Sequence, residues 1–213
     1  MTREQKINYI ESERQYLEDQ LTKMINRIGS IPIASREIMP YGWRKSAKGR
    51  TVWRILEEVI SQNLEMNARS LGFDSAEPAE SEVGVYDFKF IYHGGKTSYV
   101  NIKSAVEGGR KNKDDLSKAE GLKAFYTENP EANLYIASFV IRFNDNMTID
   151  IVKCHVFPIT WIPDVYVNPS NNGNLQSAYY KDLKDAVKRT NEEFLDVFEE
   201  AYELAIHKKR NKK

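Results

Sequence analysis

The chain has little of several things that would decide a function class at once. It holds one cysteine, Cys154, so no internal disulfide can form, and its three histidines, His93, His155 and His207, fall at no zinc-ligand spacing. A disulfide scaffold and a zinc module are thereby excluded. Cys154 and His155 are neighbours, but adjacent residues on a strand face opposite ways, so they make no nucleophile–base dyad and Cys154 reads as a buried core residue. No run of about 18 apolar residues is present to cross a bilayer. Residues 1–6 form no apolar h-region, and the acids of the first segment are foreign to a transit peptide, which leads to the expectation of an intracellular, cytoplasmic protein. Net charge is missing too: 31 Lys and Arg balance 31 Asp and Glu, which speaks against a protein that coats nucleic acid indiscriminately.

What is present suits one globular unit spanning residues 1–213, with 41% hydrophobic and 29% charged residues. Residues 3–28 lack Gly and Pro and set Ile10, Leu17, Leu21, Met24 and Ile28 on one seam, which predicts a long amphipathic helix. That seam fits its own domain or a twin equally well, so residues 1–30 are also a candidate dimer element. A loop follows to Gly49. A second helix is predicted over 51–70, with Val52, Ile55, Leu56, Val59, Ile60 and Leu64 on its apolar face and Gly72 ending it. At about 100° per residue Glu57 flanks that face while Glu58 turns toward solvent, although which of the two serves a site stays open.

After an acid-rich loop at 75–82, strands over 83–92 and 97–106 flank His93-Gly94-Gly95-Lys96, the pattern of a β-hairpin. A helix is expected over 114–128, strands over 134–143 and 149–157, a loop-rich stretch over 158–181 with a short strand at 165–168, and a closing helix over 182–207 with Leu183, Val187, Phe194, Val197, Phe198, Ala201 and Leu204 inward. The basic tail 208–213 reads as disordered. This order predicts an α/β or α+β domain around a mixed sheet.

The chemistry concentrates in the hairpin. Asn101 and Lys103 share a face of the second strand, and the turn brings Asp87 beside them. Hydrolysing a phosphodiester needs carboxylates that hold magnesium, a water made nucleophilic and relief of the developing charge. Glu57, Asp87 and Lys103 are one set able to supply these.

Tyr86-Asp87, Asn101-Ile102-Lys103 and Leu56-Glu57 on a preceding helix together resemble the motifs of the PD-(D/E)xK nucleases, with 50–157 as the catalytic core. The sequence departs from the pattern twice. Tyr86 stands where the family often has proline, and Asn101 stands at the second acid, so the negative field falls to Glu57 and Asp87, with Asn101 offering an amide oxygen. The resemblance implies a restriction-endonuclease-like core and magnesium at Glu57, Asp87 and Asn101. More narrowly, the small chain resembles a type II restriction endonuclease, a homodimer cutting double-stranded DNA at a short palindrome.

Basic and amide-rich loops fit that implication. Arg44, Lys45, Lys48 and Arg50 are candidate phosphate contacts, with Met39 or Tyr41 beside the minor groove. Arg110, Lys111 and Lys113 follow the hairpin, and Asn171, Asn172, Asn174 and Gln176 carry amides suited to base edges, which marks 158–181 as candidate recognition loops. Two other readings compete: a repair or junction-resolving nuclease of the same fold, and a non-catalytic DNA-binding or helical assembly protein.

Overall fold

The computed structural model describes residues 1–44, 48–80, 84–109, 112–170 and 173–211, and of residues 48–51 the backbone alone. Helix α1 (Arg3–Ile28) begins with a reciprocal cap, in which the Thr2 hydroxyl accepts from the Gln5 N–H and the Gln5 side chain accepts from the Thr2 N–H. Its seam of Ile7, Ile10, Leu17, Leu21, Met24 and Ile25 is buried. The partner of that seam is the chain's own sheet, at strand β7 (Thr148–Pro158).

The main sheet has six strands. With β1 at Ile31–Pro32, β2 at Ser75–Pro78, β3 at Phe88–Ile91, β4 at Thr97–Val106 and β6 at Leu134–Phe143, their order is β1-β7-β6-β4-β3-β2. Only β4 and β6 run parallel, and the crossover between them carries helix α3 (Ala119–Glu128), as a parallel pair requires. Helix α2 (Lys48–Asn67) packs on β2 and β4 through Val52, Leu56, Ile60 and Leu64, all essentially inaccessible to solvent. Strands β5 (Asp114–Lys118), β8 (Tyr166–Asn168) and β9 (Asn174–Ser177) form a second, antiparallel sheet in the order β5-β9-β8. Helix α4 (Asn191–Arg210) closes the chain, tied to α1 by Arg3–Glu193 at 2.6 Å and by Lys6–Glu192. Phe88, Phe90, Val100, Ile102, Tyr135, Phe139, Phe157 and Trp161 lie in one continuous core. Among the described residues no helix is long and apolar enough to cross a membrane.

The mixed α+β architecture, the hairpin with its 97–106 strand and the 3–28 helix agree with expectation; several local assignments are corrected. The acid-rich stretch at 75–82 contains β2, which pairs Ser75–Pro78 with Phe88–Ile91. The first hairpin strand is shorter than 83–92, because the chain leaves β4 before Phe88. Residues 114–118, taken as the start of a helix, extend instead to pair with β9, and the helix starts only at Ala119. The amide-rich stretch is partly strand for the same reason. The closing helix spans Asn191–Arg210, opening where Thr190 and Glu193 form a second capping box, so residues 208–210 of the basic tail are helical and not disordered as expected. Val187 therefore lies outside it and is exposed, as are Val197, Leu204 and, on α2, Ile55. Cys154 is buried within β7, as its neighbours imply.

Candidate active site

The site forms where the hairpin forks. Strands β3 and β4 are in register from Ile91↔Thr97 to Phe88↔Val100, while β4 continues beside β6 as far as Val106↔Ile141. Beyond Val100 one edge of β4 thus loses its strand neighbour, and its exposed N–H groups need other partners. Asp87 meets that need. Its N–H donates to the Val100 carbonyl at 2.8 Å, and its Oδ2 accepts from the Ile102 N–H at 2.5 Å. Asn101 fastens the segment from the other side, donating from Nδ2 to the Val85 carbonyl at 2.9 Å. The tie is polar and largely shielded, since Asn101 is 9% exposed.

That bond uses the amide nitrogen and leaves the oxygen over. Asn101 Oδ1 is buried and accepts no hydrogen bond from any described residue. An orphaned buried acceptor costs about 1–3 kcal/mol, so native structures rarely keep one without a further partner.

Charge gathers around the same point. The Glu57 carboxyl, carried by α2, is pushed up to about 7, first by burial and then by Asp87, against the opposing pull of Arg54 and Lys103. Asp87 is raised by burial, opposed by the Ile102 N–H, Lys103 and Arg54. The Lys103 amine is lowered by burial, opposed by Asp87 and Glu57 and by Asp115 and Asp114 of β5. The two acids and the lysine therefore share one poorly solvated region. Glu58 lies elsewhere on α2, exposed and accepting from the Gln62 amide at 2.6 Å.

Oxygen donors of this kind, two carboxylates and an amide carbonyl, suit a hard cation such as magnesium, and the orphaned Asn101 Oδ1 is an acceptor such an ion would satisfy. Among the described residues no group of three or more His, Cys, Asp or Glu is placed to hold a metal ion. Two acids with an amide fall outside that count, as the replacement of the second acid by Asn101 entails.

The candidate DNA contacts are spread more widely. Arg44 is exposed, beside Trp43, whose indole N–H donates to the Asn144 carbonyl at 2.9 Å. Tyr41 is exposed nearby. Lys113 lies 3.5 Å from Asp164 and over the Tyr166 ring. Gln176 donates to Asp115 at 2.6 Å and accepts from Asn168 at 3.2 Å, so its amide is engaged within the small sheet. Asn174 pairs with Asn168 and has a buried Oδ1 without a described partner. Lys45, Arg110, Lys111, Asn171 and Asn172 lie outside the described residues, as do the side chains of Lys48 and Arg50.

Two features escaped the sequence reading. Arg54 stands one turn before Glu57 and reaches it at 3.9 Å, a spacing of three that was available as a signal. Glu13, fully buried, accepts from Ser98, Asn133 and Tyr135 at 2.7–2.8 Å; a glutamate in so charged a helix gives no sign of such a role. Compared with models of known protein families and with curated proteins, the chain matches none.

Proposed function

We propose that the chain is a magnesium-dependent DNA endonuclease of the PD-(D/E)xK type, with Glu57, Asp87, Asn101 and Lys103 as its working residues. The observation that supports this reading is the fork itself: Asp87 and Lys103 share a poorly solvated region with Glu57, and on the same stretch of β4 Asn101 keeps a buried Oδ1 that no described residue partners. The order of elements supports it: α2, the β3–β4 hairpin, α3, β6 and β7 follow the helix, hairpin, helix, strand, strand order of that family, with β2 added before the hairpin and β5 before α3.

Glu57, Asp87 and Asn101 Oδ1 would hold the ion, which supplies positive charge to polarise a phosphoryl oxygen and to ease loss of a proton from water. The protein's own part is distinct. Lys103, whose amine burial lowers, would orient the attacking water and accept its proton. Asp87, fixed by the Ile102 N–H, holds its free oxygen in a set position. Glu57 requires the cation to ionise fully near neutral pH, so metal and proton compete for it.

The narrower reading is a type II restriction enzyme, a cytoplasmic homodimer acting on a short palindrome in double-stranded DNA. Balanced net charge favours a selective cutter over a coating protein. Incubation of supercoiled plasmid with the protein and magnesium separates the possibilities. Discrete fragments are expected. Smearing, or preference for branched substrates, would move the assignment to a repair or junction-resolving nuclease, and no cutting with magnesium or manganese would refute catalysis.

A further inference from the structure

Arg54 occupies a position that the metal site does not use. Its guanidinium lies 4.1 Å from the centre of the Trp53 ring, and its Nη1 is 3.9 Å from Glu57 Oε2, too far for a hydrogen bond. Its side chain is 64% exposed and makes no hydrogen bond with any described residue. Several cations elsewhere in the molecule are more closely engaged. Arg142 grips Glu107 through two bonds of 2.6 and 2.7 Å, Lys181 reaches Asp114 at 2.5 Å, and Lys89 is 3.2 Å from Glu77. Arg54 lies over an aromatic ring at the exposed side of an acidic site, and no described residue takes a hydrogen bond from its donors. The second cation, Lys103, belongs to the interior of the same site.

A guanidinium with open donors matches a phosphate in both charge and planar fork geometry, and stacking on an indole fixes its plane in advance. A nucleic-acid strand approaching Glu57 and Asp87 brings further negative charge to a place already short of compensation. A cation at the approach, beside the ion the site would hold, eases that entry.

Resting on the nuclease reading above, we propose that Arg54 is the phosphate-gripping side chain of the site: it takes a backbone phosphate beside the bond to be cut, with Trp53 as its platform. The ligand class is a phosphodiester backbone, irrespective of base sequence. Arg54 is thus a substrate-positioning residue, distinct from the groups that hold the ion or move the proton.

The test uses the full chain and a duplex in calcium, a hard cation offered in place of magnesium, with binding followed across a range of salt. Arg54→Ala should weaken duplex binding about ten-fold and lower the slope of log affinity against log salt by about one. Arg54→Lys should keep the slope while losing part of the affinity, since it retains the charge without the fork. In magnesium, Arg54→Ala should raise KM more than it lowers kcat. Arg69→Ala, exposed beyond the other end of α2, serves as the control. Affinity and salt slope in Arg54→Ala equal to those of the control would overturn the assignment while leaving the nuclease reading standing. A wild-type chain that neither binds nor cuts duplex would overturn that reading, and Arg54's role with it.

Discussion

Replacing Glu57 by glutamine should stabilise the metal-free protein above neutral pH and leave it unchanged in acid. In the folded state burial and Asp87 push the Glu57 carboxyl up to about 7 from 4.5. Between those values the native state holds a proton that the unfolded chain has released, so stability falls as pH rises through this window. The shift corresponds to about 3 kcal/mol, since one pKa unit is worth about 1.4 kcal/mol. The side chain is 25% exposed, and solvent screening reduces the effect to about 1–2 kcal/mol. Glutamine keeps the size and cannot ionise. Urea unfolding in EDTA at about pH 8 and about pH 4 should therefore show a gain of about 1–2 kcal/mol at the higher pH and none at the lower, or about 2–8 °C in Tm for a chain of this size. Magnesium should narrow the gap by stabilising the wild type more than the variant. An equal effect of the substitution at both pH values would refute the reasoning, because a packing change does not depend on the ionisation of Glu57.

Asn101→Asp replaces the Nδ2 donor to the Val85 carbonyl with a second acceptor, so the metal-free variant should lose about 1–3 kcal/mol. Magnesium should restore more Tm to it than to the wild type, and equal Tm gains would remove Asn101 from the ligand set. Gly72→Ala tests the fold apart from the site. Gly72 sits at φ +80°, and an added Cβ would run into the hydroxyl of Tyr16, which donates to the Leu71 carbonyl at 3.0 Å. A loss of about 2–3 kcal/mol in urea unfolding is expected, and a neutral result would mean that Tyr16 is free to move.

The parts of the architecture legible in the chain were those decided by local chemistry. Gly94-Gly95 between β-rich segments marked the hairpin, and helical periodicity placed Glu57 on the side of α2 nearest the sheet. Segments whose shape depends on a distant partner were not legible. Ser75–Pro78 has poor strand propensity and becomes a strand only because Phe88–Ile91 lies beside it. Asp114–Lys118 carries Leu116 in helical phase with Ala119 and Leu122, yet pairing with Asn174–Ser177 decides its conformation. The start of α4 was legible in the Thr190–Glu193 capping box, but the apolar run through Val187 suggested an earlier one. For the site, residue types and hairpin alternation brought Asp87, Asn101 and Lys103 together. The bond from Asn101 to Val85 and the exposed stack of Arg54 on Trp53 depend on side-chain geometry that the order of residues does not specify.

The central claim is that Asp87 and Lys103 form a magnesium-dependent hydrolytic site, and single-turnover cleavage of plasmid by wild type, Asp87→Ala and Lys103→Ala tests it directly. Cleavage by the wild type in magnesium, none in EDTA, and a loss of about a hundred-fold or more in each folded variant are predicted. Near-normal cutting by either variant would contradict the account.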